Sequence, residues 1–195
     1  MFTGIVEETG QIAERTETED GVRLTIEADW LDTVERGRSV SVSGACLTVE
    51  ESGAGWFETF LAAETREMTY LGALTVGATV NVERAMPADG RFEGHIVQGH
   101  VDGVTSITDI EQVGDDWRFR FELPADARYL VPKGSITLDG ISLTIASIDR
   151  DEDSFEVAII PETYDLTTLS EKAVGDPVHV EYDVIAKYVE QLVDA

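Results

Sequence analysis

Ser43-Gly44-Ala45-Cys46-Leu47-Thr48-Val49 returns ninety-six residues later as Asp139-Gly140-Ile141-Ser142-Leu143-Thr144-Ile145. Glycine, leucine and threonine recur in place, a β-branched residue closes each copy, and a soft thiol at Cys46 becomes a hydroxyl at Ser142. The repeat extends outward from there. Ser39-Val40-Ser41-Val42 aligns with Ser135-Ile136-Thr137-Leu138, and Thr3-Gly4-Ile5-Val6-Glu7 with Gln98-Gly99-His100-Val101-Asp102. Downstream, Glu64-Thr65-Arg66-Glu67-Met68-Thr69 aligns with Glu162-Thr163-Tyr164-Asp165-Leu166-Thr167, and Val76-Gly77 with Val174-Gly175. The offset stays between 95 and 98 residues, which signals a duplicated unit.

Each copy reads as β structure. Val22-Arg23-Leu24-Thr25-Ile26, Thr79-Val80-Asn81-Val82, Trp117-Arg118-Phe119-Arg120-Phe121 and Val178-His179-Val180 alternate apolar and polar side chains, the period of a half-buried strand. Asp20-Gly21, Gly53-Ala54-Gly55 and Asp139-Gly140 supply turns between such runs. The expectation is an all-β chain of two tandem homologous barrels, over 1–94 and 95–183, joined through Ala85-Met86-Pro87-Ala88-Asp89-Gly90-Arg91. Short helices are expected over 29–35, 125–130 and 184–195. The last carries Val184, Ile185, Tyr188, Val189 and Leu192 on one stripe, which must pack under its own barrel or against copies of itself.

Thirty-nine acidic against fourteen basic residues give the 195-residue chain a net charge of −25, which repels phosphate backbones and excludes nucleic acid as a partner. The acids are dispersed, and only three of the bases are lysine, a composition that suits solvation at high salt; binding to a basic partner is the other reading. A single cysteine excludes an internal disulfide, and the three histidines are not spaced as metal ligands. No apolar run is long enough to cross a membrane, and Met1-Phe2-Thr3-Gly4 does not open like a signal peptide, so a cytoplasmic protein is expected.

Five segments together resemble the riboflavin synthase family of the α-chain type. They are Met1-Phe2-Thr3-Gly4-Ile5-Val6, Gly44-Ala45-Cys46-Leu47-Thr48-Val49, Gly94 to Val101, Lys133 to Thr144 with its Gly140-Ile141-Ser142, and Ile160-Pro161-Glu162-Thr163. The resemblance implies two six-stranded antiparallel Greek-key barrels with a C-terminal helix through which three chains associate. It also implies dismutation of two molecules of 6,7-dimethyl-8-ribityllumazine, without cofactor or metal, in sites shared between neighbouring chains. On that resemblance the acting groups are Cys46, Ser142, His100, Lys133, Ser39 and Asp139. The substrate would lie against Gly4, Ile5 and Val6, Cys46, Leu47 and Thr48, Phe60, Leu61, Ala62, Ala63, Glu64 and Thr65 in one half. In the other it would meet Gly99, His100 and Val101, Lys133, Ser142, Leu143 and Thr144, Ile160, Pro161, Glu162, Thr163, Tyr164 and Asp165.

Residue chemistry leaves several roles open. Cys46 suits a pocket nucleophile or a small buried hydrophobe, and His100 a proton carrier or a structural imidazole; His95 is read as structural. Ser142 suits a proton relay or a strand edge, Asp139 an orienting group or a turn, and Lys133 an anion stabiliser or an exposed turn residue. Ser43 stands where the family more usually has Asn. A carrier of the same fold that binds lumazine or flavin without converting it is the rival function.

Overall fold

The computed structural model of the chain describes residues 1–29 and 34–193; the helix expected over 29–35 falls mostly outside them. Strands β1 (Glu8–Glu17), β2 (Val22–Glu27), β3 (Ser39–Val42), β4 (Ala45–Gly53), β5 (Trp56–Leu61) and β6 (Thr79–Arg84) close a first barrel in the order β1-β2-β5-β4-β3-β6. Strands β7 (Gly103–Val113), β8 (Asp116–Glu122), β9 (Ser135–Leu138), β10 (Ile141–Asp149), β11 (Ser154–Ile159) and β12 (Pro177–Tyr182) close a second in the same cyclic order. Every pairing is antiparallel, and the neighbours β2–β5 and β3–β6, distant in sequence, give the Greek-key connection. Closure leaves no open sheet edge in either barrel.

The alternating runs fold as their period dictates: Val22, Leu24 and Ile26 are buried while Arg23 and Thr25 are partly exposed. Matched irregularities bend matched strands. The register slips between Ile12 and Glu14 and again between Ile107 and Asp109, and between Val49 and Glu51 as between Ile145 and Ser147. Such extra residues let a short strand curve around a small barrel. Phe57, Leu61 and Leu71 fill the first interior, and Phe119, Phe121 and Phe155 the second.

Among the described residues, three short α-helices complete the fold: α1 (Ala63–Met68), α2 (Pro161–Leu166) and α3 (Val184–Val193). The expected helix over 125–130 is a single 3-10 turn at Ala127–Tyr129. Alternation signals announce neither α1 nor α2. They begin where β5 and β11 end, and Pro161 opens α2 at the position where its missing N–H is harmless.

The duplicated stretch is where the barrels meet. Ser43 and Gly44 (φ 43° and 89°), like Asp139 and Gly140 (47° and 82°), form two-residue turns with both φ positive. The turns pack tip to tip: a Cβ on Gly44 would lie 2.8 Å from the Gly140 nitrogen, and one on Gly140 2.7 Å from that of Gly44. Around them, Asn81 on β6 donates from Nδ2 to the Asp139 carbonyl (2.9 Å) and accepts from the Thr168 N–H (2.8 Å). Its repeat partner on β12, His179, donates from Nδ1 to the Ser43 carbonyl (2.7 Å) and accepts at Nε2 from the Tyr70 N–H (2.9 Å). An amide in one half and a neutral imidazole in the other thus make the same crossing.

The opening segments also cross. Phe2 and Val97 exchange backbone hydrogen bonds (2.7 and 3.1 Å), after which each segment runs to the opposite barrel. Val6 packs in the interior of the second barrel, and Val101 packs against that of the first.

Candidate active site

Two clefts follow from that exchange. The first, about 410 Å³, is lined by Ala45 and Cys46 at the start of β4, by Glu64, Thr65, Met68 and Thr69 from α1 and its end, and by Gly99, His100 and Val101. The second, about 150 Å³, is lined by Ile141 and Ser142 at the start of β10, by Ile160, Glu162, Thr163, Leu166 and Thr167 around α2, and by Gly4, Ile5 and Val6. The sequence reading puts His100 with Ser142 and takes Gly4–Val6, with Gly99 and Val101, as the pocket floor. The structure reverses the first pairing and divides that floor between the two clefts. The Cys46 N–H donates to the Gly99 carbonyl (2.8 Å) and the Ser142 N–H to that of Gly4 (2.7 Å).

The reversal moves the histidines. His100 stands with Cys46, away from Ser142. The imidazole on Ser142 is His95, read from sequence as structural: its Nδ1 lies 2.7 Å from Ser142 Oγ and its Nε2 3.1 Å from Thr137 Oγ1. Burial lowers the pKa of His95 below the ordinary imidazole value, so the ring is neutral near pH 7. With Nε2–H donated to Thr137, Nδ1 accepts the Ser142 hydroxyl proton; in the other tautomer it donates to that oxygen. Either way, Ser142, His95 and the buried Thr137 form a line along which a proton can move.

The floor of each cleft is held by a buried carboxylate. Glu83 on β6 accepts from the Thr3 N–H (2.7 Å), the Thr3 hydroxyl (2.9 Å) and the Gly4 N–H (3.1 Å). Glu181 on β12 accepts from the N–H groups of Gln98 (2.7 Å), Gly99 (2.9 Å) and His100 (2.9 Å). Gly4 and Gly99 carry φ of 77° and 81°, and a Cβ on either would meet the Cβ of Ser142 or Cys46 at 2.6 Å. Glycine is required at both positions.

Other expected residues are placed elsewhere. Asp139 is fully buried in the seam, where Oδ1 accepts from the His179 N–H and Oδ2 lies 3.0 Å from Lys172 Nζ; it lines neither cleft. Lys133 is exposed in a turn at φ 68°, and Ser39 sits half-buried at the start of β3 opposite Thr48. Thr48 and Thr144 point outward from their strands, while Leu47, Leu61 and Leu143 belong to the barrel interiors. Phe60 lies under the Arg23 guanidinium. Ala62 precedes α1, Ala63 begins it, and Pro161 begins α2. Tyr164 stacks on Trp117 at 4.2 Å, pinning α2 to β8, and Asp165 is exposed.

Sequence reasoning missed Thr69 and Thr167. Each donates its hydroxyl to the carbonyl four residues back, Thr65 or Thr163, and each closes its helix at a cleft wall. Their signal was the threonine pair at the same spacing in both repeats. Among the described residues, no group of three His, Cys, Asp or Glu side chains is placed to hold a metal ion.

A family profile described as the lumazine binding domain matches residues 3–85 and again 98–183. The chain belongs to the lumazine-binding family. Within that family it is 47% identical over 197 residues to riboflavin synthase of Mycobacterium tuberculosis, covering 98% of each chain. It is 44% identical over 191 residues to riboflavin synthase of Bacillus subtilis, covering 97% of this chain and 88% of that one. Its fold superposes on LumP complexed with 6,7-dimethyl-8-(1'-D-ribityl) lumazine with a TM-score of 0.83 at 25% identity, over 93% of this chain and 99% of that one. For LumP complexed with riboflavin the TM-score is 0.85 at 26% identity, with the same coverage.

Proposed function

We propose that the chain is a riboflavin synthase. Two molecules of 6,7-dimethyl-8-ribityllumazine react, a four-carbon unit passes from one to the other, and riboflavin and 5-amino-6-(ribitylamino)uracil leave. One observation carries this reading beyond a carrier of the same fold: Ser142 on the wall of the second cleft is backed by a proton line through His95 to Thr137, which a one-ligand carrier has no use for. The full-length likeness to riboflavin synthases supports it.

Most of the rate comes from holding two substrate rings face to face, since proximity and orientation replace a bimolecular encounter. The ring methyl group of lumazine is acidic, and neutral His95 acting through the Ser142 hydroxyl is placed to take its proton. In the first cleft, Cys46 and His100 act on the partner ring, the thiol adding to it or stabilising charge on it. Thr65 and Thr163 offer hydroxyls to the ribityl chains, on helices that Thr69 and Thr167 close.

The second cleft, at about 150 Å³, is smaller than the roughly 300–1,000 Å³ that encloses a small-molecule ligand. Its rim carries exposed Ile5, Ile160 and Leu166. Both features support a site completed by the first cleft of a neighbouring chain. The bare stripe of α3 supports a homotrimer that brings such clefts together, working in a cytoplasm of high salt. The test is incubation of the purified protein with 6,7-dimethyl-8-ribityllumazine and a chelator. One riboflavin formed for every two lumazines consumed is expected; binding without conversion would make the chain a carrier.

A further inference from the structure

Glu83 and Glu181 are 4% and 3% exposed, and each spends both carboxylate oxygens on backbone N–H groups of an opening segment. Neither touches a cleft. What each holds does: Gly4 passes its carbonyl to the Ser142 N–H, and Gly99 to the Cys46 N–H. Two short chains of contacts result, Glu83–Gly4–Ser142 and Glu181–Gly99–Cys46. Each starts on one barrel and ends on the other, because β6 belongs to the first barrel and Ser142 to the second, while β12 belongs to the second and Cys46 to the first.

We propose that Glu83 and Glu181 are crossed positioning residues: the first barrel sets the geometry of the Ser142 site through Glu83, and the second sets that of the Cys46 site through Glu181. The geometry demands an acceptor-only group. Three donors converge on each carboxylate, and no neutral side chain of that length presents two acceptors without a donor. Glutamine would turn an NH₂ toward at least one N–H, leaving a buried donor unsatisfied. The opening segment would then shift, and with it the backbone bond to the reactive residue. Burial raises the pKa of both carboxyl groups, to about 7 for Glu83. The effect on turnover rests on the riboflavin synthase reading; the crossed placement does not.

The lone cysteine is a built-in probe. Alkylation of Cys46 by iodoacetamide in the full-length chain is expected to change about tenfold in Glu181→Gln and to stay within about twofold in Glu83→Gln. A Cys46→Ser, Ser142→Cys chain carries the probe to the second cleft, and the dependence is expected to reverse, with Glu83→Gln now the sensitive change. Should a glutamine variant fail to fold, Glu83→Asp or Glu181→Asp keeps the charge, shortens the reach, and must show the same crossed pattern. Equal effects of both variants on both thiols, or sensitivity confined to the barrel that carries the glutamate, would overturn the proposal. Alkylation needs no lumazine, so a crossed pattern in a chain that binds without converting sinks only the enzymatic reading. A converting chain with no crossed pattern sinks only this one.

Discussion

A serine hydroxyl is a poor base near neutrality, and the proposed reaction relies on His95, 2.7 Å from Ser142 Oγ, to take the proton. Replacing His95 by Gln keeps a polar side chain but removes the titrating group. kcat is expected to fall about 10²-fold, with the acid limb of the pH–rate profile, which lies below 6.5 because burial lowers the imidazole pKa, disappearing. Cys46→Ser should lower turnover about tenfold or more while lumazine affinity, followed by fluorescence titration, holds. Equal losses in both quantities would remove Cys46 from the chemistry. Cys46 and Ser142 were legible in the sequence because the repeat lines them up against each other. His95 was not, because it precedes the second repeat and has no counterpart in the first. Comparison of the halves is blind there, and only the folded chain brings it to Ser142.

The same limit explains the elements. Strand periods and turn pairs lie within one copy, so local chemistry announced them, whereas α1 and α2 carry too short a pattern to show. The exchange of opening segments did not show, since a segment closing its own barrel and one closing its twin's carry the same residues. The seam offers a direct test of how tightly the barrels are joined. Gly44 and Gly77 share a φ of 89°, but a Cβ on Gly77 meets no heavy atom within 4 Å. Gly77→Ala should therefore cost about 1–2 kcal/mol of backbone strain in urea unfolding. Gly44→Ala adds a clash with the Gly140 backbone and should cost about 2–4 kcal/mol.

Acid should open the same seam. His179 is neutral, with burial lowering its pKa, and Asp139, Lys172 and Tyr70 packed around it. A base with a depressed folded pKa binds more protons unfolded, so its share of stability is present above about pH 6.5 and lost as pH falls further. His179→Asn, which copies what Asn81 does in the first half, should flatten that part of the profile of unfolding free energy against pH. A wild-type profile that does not differ from that of His179→Asn below pH 6.5 would count against a neutral His179.

At the scale of the whole molecule, charge and the tail helix decide behaviour. A net charge of −25 on a chain of 195 residues means self-repulsion that salt must screen over about 10 Å at 0.1 M. The thermal midpoint is expected to climb steadily from about 0.01 M to 1 M NaCl; full stability in dilute buffer would make the acidic surface incidental to folding. On α3, Lys187 is fixed 2.6 Å from Asp102 and Glu190 2.9 Å from Arg128, while Leu192 and Tyr188 are 80% and 65% exposed. The polar side thus anchors the helix to its own barrel and turns the stripe outward. Of the two packings the sequence left open, docking beneath the same barrel is the one the structure does not use.

The traded opening segments have an evolutionary corollary. If duplication produced this chain, the lending of a wall from one half to the other fits an ancestor that worked as a symmetric pair of single-barrel molecules, each completing its mate. Fusing them freed the copies to specialise, yet left both of these clefts built from the two halves. A mutation that improves one workshop must therefore be tolerated by the machinery next door, which is a reason for the halves to have drifted apart in chemistry while keeping the same frame.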